Sequence, residues 1–252
     1  MSDSSLPDND KELFRLQHYL AKCGIGSRRT NEKYILDGRV KVNGVVVNAL
    51  GTKVGPNDVV EFDGNPVKFE ENLRYVLLNK PTGYVCSLAD EKGRMVAADI
   101  LRPHYSERLY NVGRLDMFSA GLIIFTNDGD FTKKILHPSA QIEKEYVVET
   151  STNIPEDLVK KFKKGMRIDG VFYKCQDAQL LNTRKIRIVL IEGKNREIRK
   201  VFEEYRLGIK SLQRVRIGNI EIGELKEGEF RELTDKEVKQ LLEIGETSGN
   251  SN

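Results

Sequence analysis

The side chain best placed to do chemistry is Asp116, within NVGRLDMFSAGLIIFTNDGD (Asn111 to Asp130). It stands two residues after Arg114 in a short polar turn, and an apolar, β-branched run from Gly121 to Phe125 follows. Asn127-Asp128 and Gly129 then signal a second turn. This is a loop that delivers one carboxylate at the edge of a buried strand. A carboxylate so placed acts either as an ionised nucleophile or stabiliser, or as half of an ordinary loop ion pair with Arg114.

Other chemistries fail on spacing. Asp128-Gly129-Asp130 starts like a calcium loop, but Ser139 stands where the closing glutamate belongs. Gly193-Lys194 lacks the upstream glycine and following Ser/Thr of a phosphate-binding loop. His18, His104 and His137 are isolated, and each reads as a surface or packing residue. Cys23, Cys86 and Cys175 are odd in number with no C-x-x-C pair, so neither zinc nor a disulfide framework is expected. Three isolated thiols suit a reducing cytoplasm.

The net charge of +3 conceals two basic segments. Lys22 to Lys41 holds six Lys/Arg against two acids, and Arg184 to Arg216 holds eleven against four. Such segments suit a polyanion, with a solvated face as the alternative. No apolar window approaches the length of a membrane span, and MSDSSLPDNDKE has no signal-peptide pattern. The length suits two domains. Expected boundaries are disordered tails at 1–12 and 246–252, a small domain at 13–67, a linker at 68–72 and a larger domain at 73–245.

The elements that must position these residues follow from periodicity. Leu13, Leu16 and Leu20 mark a helix stopped by Gly24; Ser27 caps a second carrying Arg28, Arg29 and Lys33. Val40 and Val42 then alternate with Arg39 and Lys41 up to an Asn43-Gly44 hairpin turn, and a strand runs from Val59 to Phe62. In the larger domain, strands are expected at Tyr75–Leu78, Gly121–Phe125, in EKEYVVET and at Ile186–Glu192. Helices are expected at Met95–Leu101, Asp130–Leu136, after Ile154-Pro155, after Asn195 as a cap, and at Asp235–Leu242. The Arg216-to-Leu233 region reads as short strands and glycine turns. The expected class is α+β: a mixed, mainly antiparallel sheet with flanking helices, plus a small α/β module.

FRLQHYLAKCGIGSRR…ILDGRVKVNG resembles the S-four-type RNA-binding domain. The resemblance implies phosphate contacts from Ser27, Arg28, Arg29, Arg39 and Lys41. Thr30 and Asn31 depart from its usual pattern. Further on, GRLD, S-x-GL-x-x-x-TNDG, EKEY and EGKNREIRKVF, in this order, resemble the RsuA-type family of bacterial ribosomal RNA pseudouridine synthases.

That resemblance implies isomerisation of a uridine in ribosomal RNA without cofactor or metal. The substrate would be a single-stranded loop or stem-loop, and the enzyme a cytoplasmic monomer. Asp116 would be the catalytic carboxylate, Tyr146 the ring stacked on the target base, and Arg199 the cation that holds Asp116 ionised. A cation about 4 Å away at an effective dielectric near 20 contributes roughly 4 kcal/mol. Arg199 lies on the shoulder of the Ile198/Val201/Phe202/Tyr205 stripe, about 100° from its centre. Arg114 would prop open the RNA stack or bind a phosphate, and Lys194 and Arg196 would also contact RNA. Glu197 replaces the family's glutamine. Two other readings are a non-catalytic RNA-binding assembly factor with the same fold and an unrelated hydrolase using Asp116. The joint presence of Asp116, Tyr146 and Arg199 argues against the first. The absence of a partnered base or metal site argues against the second.

Overall fold

The computed structural model describes residues 13–249. The expected tail at 1–12 and the last three residues lie outside that range. The chain falls into two compact units divided between Leu73 and Arg74.

The first unit contains β1 (Phe14–Arg15), α1 (Leu16–Lys22), α2 (Arg28–Leu36), β2 (Val40–Val42), β3 (Val45–Val46), β4 (Lys53–Val54), β5 (Val60–Phe62) and β6 (Asn65–Pro66). An antiparallel sheet ordered β3-β2-β5-β6 and the short β1-β4 pair frame a core of Leu16, Leu20, Ile35, Val40, Val54 and Val60. Leu13 is exposed and lies outside α1, which starts only at Leu16 after the β1 pairing. The Ser27 hydroxyl caps α2 by accepting the Thr30 N–H at 3.1 Å. Asn31 is fully buried, and its amide donates to the carbonyls of Gln17 and Gly26. The unusual asparagine thus ties α2 to α1 and the turn between them.

Two expectations in this unit change. Residues 68–72 are not a bare linker: the Phe69 ring meets Phe14 edge-on at 5.5 Å and lies 4.8 Å from Tyr19, and the Glu70 N–H donates to Lys22 O. Arg39 is engaged within the module. Its guanidinium makes two hydrogen bonds to Asp63 and lies 4.3 Å from the Tyr34 ring centre and 4.7 Å from that of Phe62.

The second unit is built on one twisted sheet. Its elements are β7 (Tyr75–Lys80), β8 (Tyr110–Val112), β9 (Ala120–Thr126), α3 (Gly129–Leu136), β10 (Lys144–Thr150), α4 (Glu156–Lys164), β11 (Met166–Ile168), β12 (Val171–Tyr173), β13 (Asp177–Asn182), β14 (Lys185–Leu190), α5 (Glu197–Glu204), β15 (Ile209–Ile217), β16 (Ile220–Glu221), β17 (Phe230–Glu232) and α6 (Asp235–Gly249). The sheet runs β13-β14-β10-β15-β9-β7-β17, with β8 also on β9 and β16 on β15. Every pair is antiparallel except β15 with β9.

The continuous apolar run in β9 is explained by cover on both faces. Ile123 and Phe125 join the core that takes in Phe162, Val201 and Phe202, while Leu122 and Ile124 join Phe131, Ile135 and Leu241. Gly121, at φ +105°, is what lets β9 lie alongside β15. A Cβ there would come within 2.2 Å of the Arg214 carbonyl oxygen.

Several expected elements are corrected. Helix α6 continues to Gly249, so residues 246–249 belong to it. Leu241 is buried at its centre and Glu246 pairs with Lys134. The helix expected at Met95–Leu101 is one turn of 3₁₀ helix, Ala97–Ile100, because Val96 is held extended by a bridge to Val85. Asn195 does not cap α5; Arg196 takes that place in left-handed geometry, and the Glu197 carboxylate accepts the Lys194 N–H. The long central strand β15, the β11-β12 hairpin and β13 had no matching expectation.

Candidate active site

Asp116 sits in the loop between β8 and β9. Buried Leu115 anchors this loop in the core, and the Ser119 N–H donates to the Asp116 carbonyl at 3.0 Å, closing a tight turn. The Asp116 side chain keeps about a third of its surface exposed (35%), whereas that of Arg199 keeps 14%. Arg199 reaches the turn from α5, its Nε 3.9 Å from Asp116 Oδ2. Its Nη2 donates to Phe118 O at 2.6 Å and to Ser119 Oγ at 3.3 Å. One guanidinium therefore pairs with the carboxylate and anchors the turn that carries it. Burial and the neighbouring Arg196 lower the pKa of Arg199, and Asp116 works in the opposite direction.

Tyr146, on β10, lies opposite Ile188 of β14 and Arg214 of β15. A register shift between Glu145 and Tyr146 marks a bulge there. The bulge aligns Tyr146 with Arg214 while leaving Glu145 opposite Arg216, with which it forms an ion pair at 3.1 Å. Asp116, Tyr146 and Arg199 line one cavity of about 390 Å³, with Ser119, Leu190 and Leu212. The three candidate catalytic residues are thus brought together around a space sized for a nucleobase.

The candidate RNA-contact residues divide. Arg114 is exposed and lines the same cavity, which suits a hand for a polyanion better than a partner for Asp116. Lys194 and Arg196 lie on the rim but are partly occupied, Lys194 by the Phe172 carbonyl and Glu192, Arg196 by Glu203. The basic Arg184–Arg216 segment is weaker than its count. Arg187 pairs with Glu145 and Asp177, and Arg216 with Glu143 and Glu145. Ser27, Arg28, Arg29 and Lys41 belong to the separate first unit.

Two buried cations, Lys80 and Arg214, and one partly buried cation, Lys144, were missed by the sequence reading. Lys80 is fully buried at the end of β7, with Nζ donating to the carbonyls of Pro81 and Tyr84 at 2.8 and 2.9 Å. Burial lowers its pKa, while Asp116 is among the groups that raise it. The available signal was a basic residue breaking an otherwise apolar strand pattern, as in LLNKP and LQRVRI.

Lys144 yields a direct test. Burial, with a contribution from Arg214, lowers its ammonium from the usual 10.5 to about 8. The folded protein therefore holds this proton less tightly than the unfolded chain. The penalty is full below pH 8 and fades as pH rises toward 10.5. Wild type is expected to gain on the order of 2–3 kcal/mol of stability relative to Lys144→Met between pH 7.5 and 10.5. Denaturant titrations at the two pH values measure it; a difference independent of pH would show that Lys144 is not desolvated.

A carboxylate paired with a guanidinium at a base-sized cavity, in a chain that also carries a basic helix-hairpin module, defines an RNA-modifying enzyme. Residues 74–204 match the family of RNA pseudouridylate synthases, and residues 14–60 match the S4 domain. An uncharacterized RNA pseudouridine synthase of Borreliella burgdorferi is 39% identical over 90% of this chain and 92% of its own length. The ribosomal large subunit pseudouridine synthase B of Bacillus subtilis is 37% identical over 94% and 99%. A solved pseudouridylate synthase superposes with a TM-score of 0.65 at 27% identity, over 90% of this chain and 99% of that one. The chain belongs to the RNA pseudouridylate synthase family: it is an isomerase that converts uridine in RNA to pseudouridine. No helix among the described residues is long and apolar enough to cross a membrane.

Proposed function

We propose that this enzyme modifies a uridine in ribosomal RNA, with Asp116, Tyr146 and Arg199 as its catalytic residues. The observation that carries the assignment is the Arg199 guanidinium 3.9 Å from the Asp116 carboxylate, with Tyr146 lining the same cavity. Ionised Asp116 acts at the sugar as the N1–C1′ bond breaks. The uracil turns, C5 bonds to C1′, the C5 proton leaves and N1 gains a proton. Tyr146 supplies the ring against which the base stacks, and the apolar side chains of Leu190 and Leu212 give it room to turn. At this separation and an effective dielectric near 20 the Coulomb attraction between the two groups is about 4 kcal/mol, less where solvent reaches them.

The target must leave its helix, because neither C1′ nor C5 is accessible inside a paired stem, and unstacking costs a few kcal/mol. Phosphate contacts from Arg114, Lys194, Arg196 and the first unit offset that cost. Within the first unit, Arg28, Arg29, Lys41 and Arg39 carry this role, with Ser27 positioning α2; Arg39 would have to share its guanidinium with Asp63. On this reading the enzyme acts in the cytoplasm as a monomer, with RNA as its partner. The Bacillus subtilis relative's name makes large-subunit RNA the first substrate to try.

Tritium release from rRNA labelled at uridine C5 tests the reaction. Release from large-subunit but not small-subunit fragments is expected; none from either would favour an RNA-binding assembly factor. Arg28→Ala with Arg29→Ala tests the module. It is expected to flatten the slope of log affinity against log salt by about 1.5, the loss of two phosphate contacts. An unchanged slope would remove these residues from the interface.

A further inference from the structure

A second cavity of about 530 Å³ adjoins the first, and the two share Gly113, Arg114, Tyr146, Gly193 and Lys194. Neither Asp116 nor Arg199 lines it. Ile124, Ile135, Ile142 and Ile217 give it apolar walls; two cations, Lys144 and Arg214, meet there, while Glu192, on the same lining, pairs with Lys194. Both cations lack an acidic partner. Lys144 Nζ donates to the carbonyls of Ile142 and Ile191, and Arg214 Nε to that of Leu122. Among the described residues, no ion pair involves either one.

Arg214 is only 3% exposed, yet its Nη2 is buried without a hydrogen-bond partner. A buried, unsatisfied guanidinium N–H is costly, and two like charges among isoleucines add repulsion. A ligand that is flat, apolar on its faces and rich in acceptors at its edge relieves both. A phosphate would satisfy the charges but would set its own charge against apolar walls.

We propose that this second cavity receives a nucleobase neighbouring the target uridine and reads its exocyclic keto oxygen through Arg214 and Lys144. Guanine O6 and uracil O4 are acceptors at that edge, whereas adenine and cytosine present an amino donor there. Tyr146 and Arg114 form the partition between the two bases. The proposal rests on the enzyme's being an RNA uridine isomerase and adds a determinant of which uridine it selects.

The test uses the full chain and a stem-loop RNA that the wild type modifies. Each nucleotide within two positions of the target is replaced in turn by an abasic residue. One position is expected to lose roughly tenfold in kcat/KM, and there exchange of keto for amino (guanine to adenine, or uracil to cytosine) loses about as much. Whether the sensitive base is a purine or a pyrimidine separates the two keto sources.

Leu136, on the cavity wall and 46% exposed, accepts a larger side chain without disturbing the core. Leu136→Trp, which narrows the cavity, is expected to lose tenfold on the intact RNA and to become indifferent to the abasic replacement. No sensitive position, a keto-to-amino exchange without effect, or an equal abasic loss in Leu136→Trp would each overturn the proposal. A response to methylphosphonate linkages in place of base changes would assign the cavity to a phosphate and overturn it as well. Affinities of the same RNAs, measured alongside, report on the cavity even where turnover is absent, so failure of the isomerase reading is seen separately.

Discussion

Asp116→Asn is expected to abolish tritium release, with a loss on the order of 10⁴-fold or more in kcat, while RNA affinity stays within about twofold. The substitution preserves shape and removes only the charge and the nucleophilic character of the carboxylate. The fold has little at stake. The side chain is one-third exposed, and the turn is held by the Asp116 carbonyl and by Arg199's bond to Phe118, neither of which needs the carboxylate. RNA binding also has little at stake, because its cations lie on other residues. Residual turnover within tenfold of wild type would remove Asp116 from the chemistry. A large fall in affinity would move its role from catalysis to binding.

The second large effect is expected at Arg199. Arg199→Ala removes the cation beside Asp116 and both anchors of the turn, the bonds to Phe118 O and Ser119 Oγ. A charge placed in advance at a partly dry site has catalytic value of about 10²- to 10³-fold, and kcat should fall by that much with KM little changed. Arg199→Lys separates the two jobs. A lysine restores the charge but lacks the fork that reaches carboxylate and carbonyl together, so it should recover only part of the loss. Full activity in Arg199→Lys would mean that charge alone matters. No recovery over alanine would mean that placement of the turn dominates. Equal losses in KM and kcat/KM would point instead to an RNA-phosphate contact.

Much of the site was legible because its signals are local. The Gly121–Phe125 run identified a buried strand, Ser27 identified the start of α2, and Asn43-Gly44 identified a hairpin turn, where both residues adopt positive φ. The motifs that carry the family resemblance name Asp116, Tyr146 and Arg199, and all three line one cavity. The misses share a cause. The Met95–Leu101 stretch has helical periodicity, but a bridge from Val96 to Val85, eleven residues back in the chain, competes with its own local bonds. The end of α6 was placed too early because its last turns are polar, and Leu241 and the Lys134 pairing keep it helical.

In the sequence by itself, periodicity determined the element that presents Asp116, and ordered motifs resembling a known family pointed to the kind of enzyme and to Arg199 as the partner. These depend on residue type, order and short-range periodicity, which survive without a fold. Only the tertiary structure decided what each charge does. Arg39, Arg187 and Arg216 look like hands for RNA in a count, yet each is paired with an acid across a sheet or turn. Lys80, Lys144 and Arg214 look ordinary in the chain, yet the sheet buries Lys80 and Arg214 and sets Lys144 beside Arg214 on the wall of the second cavity. The energy of a charge depends on distance and solvation, and both are set by strands far apart in sequence that meet only when the sheet forms.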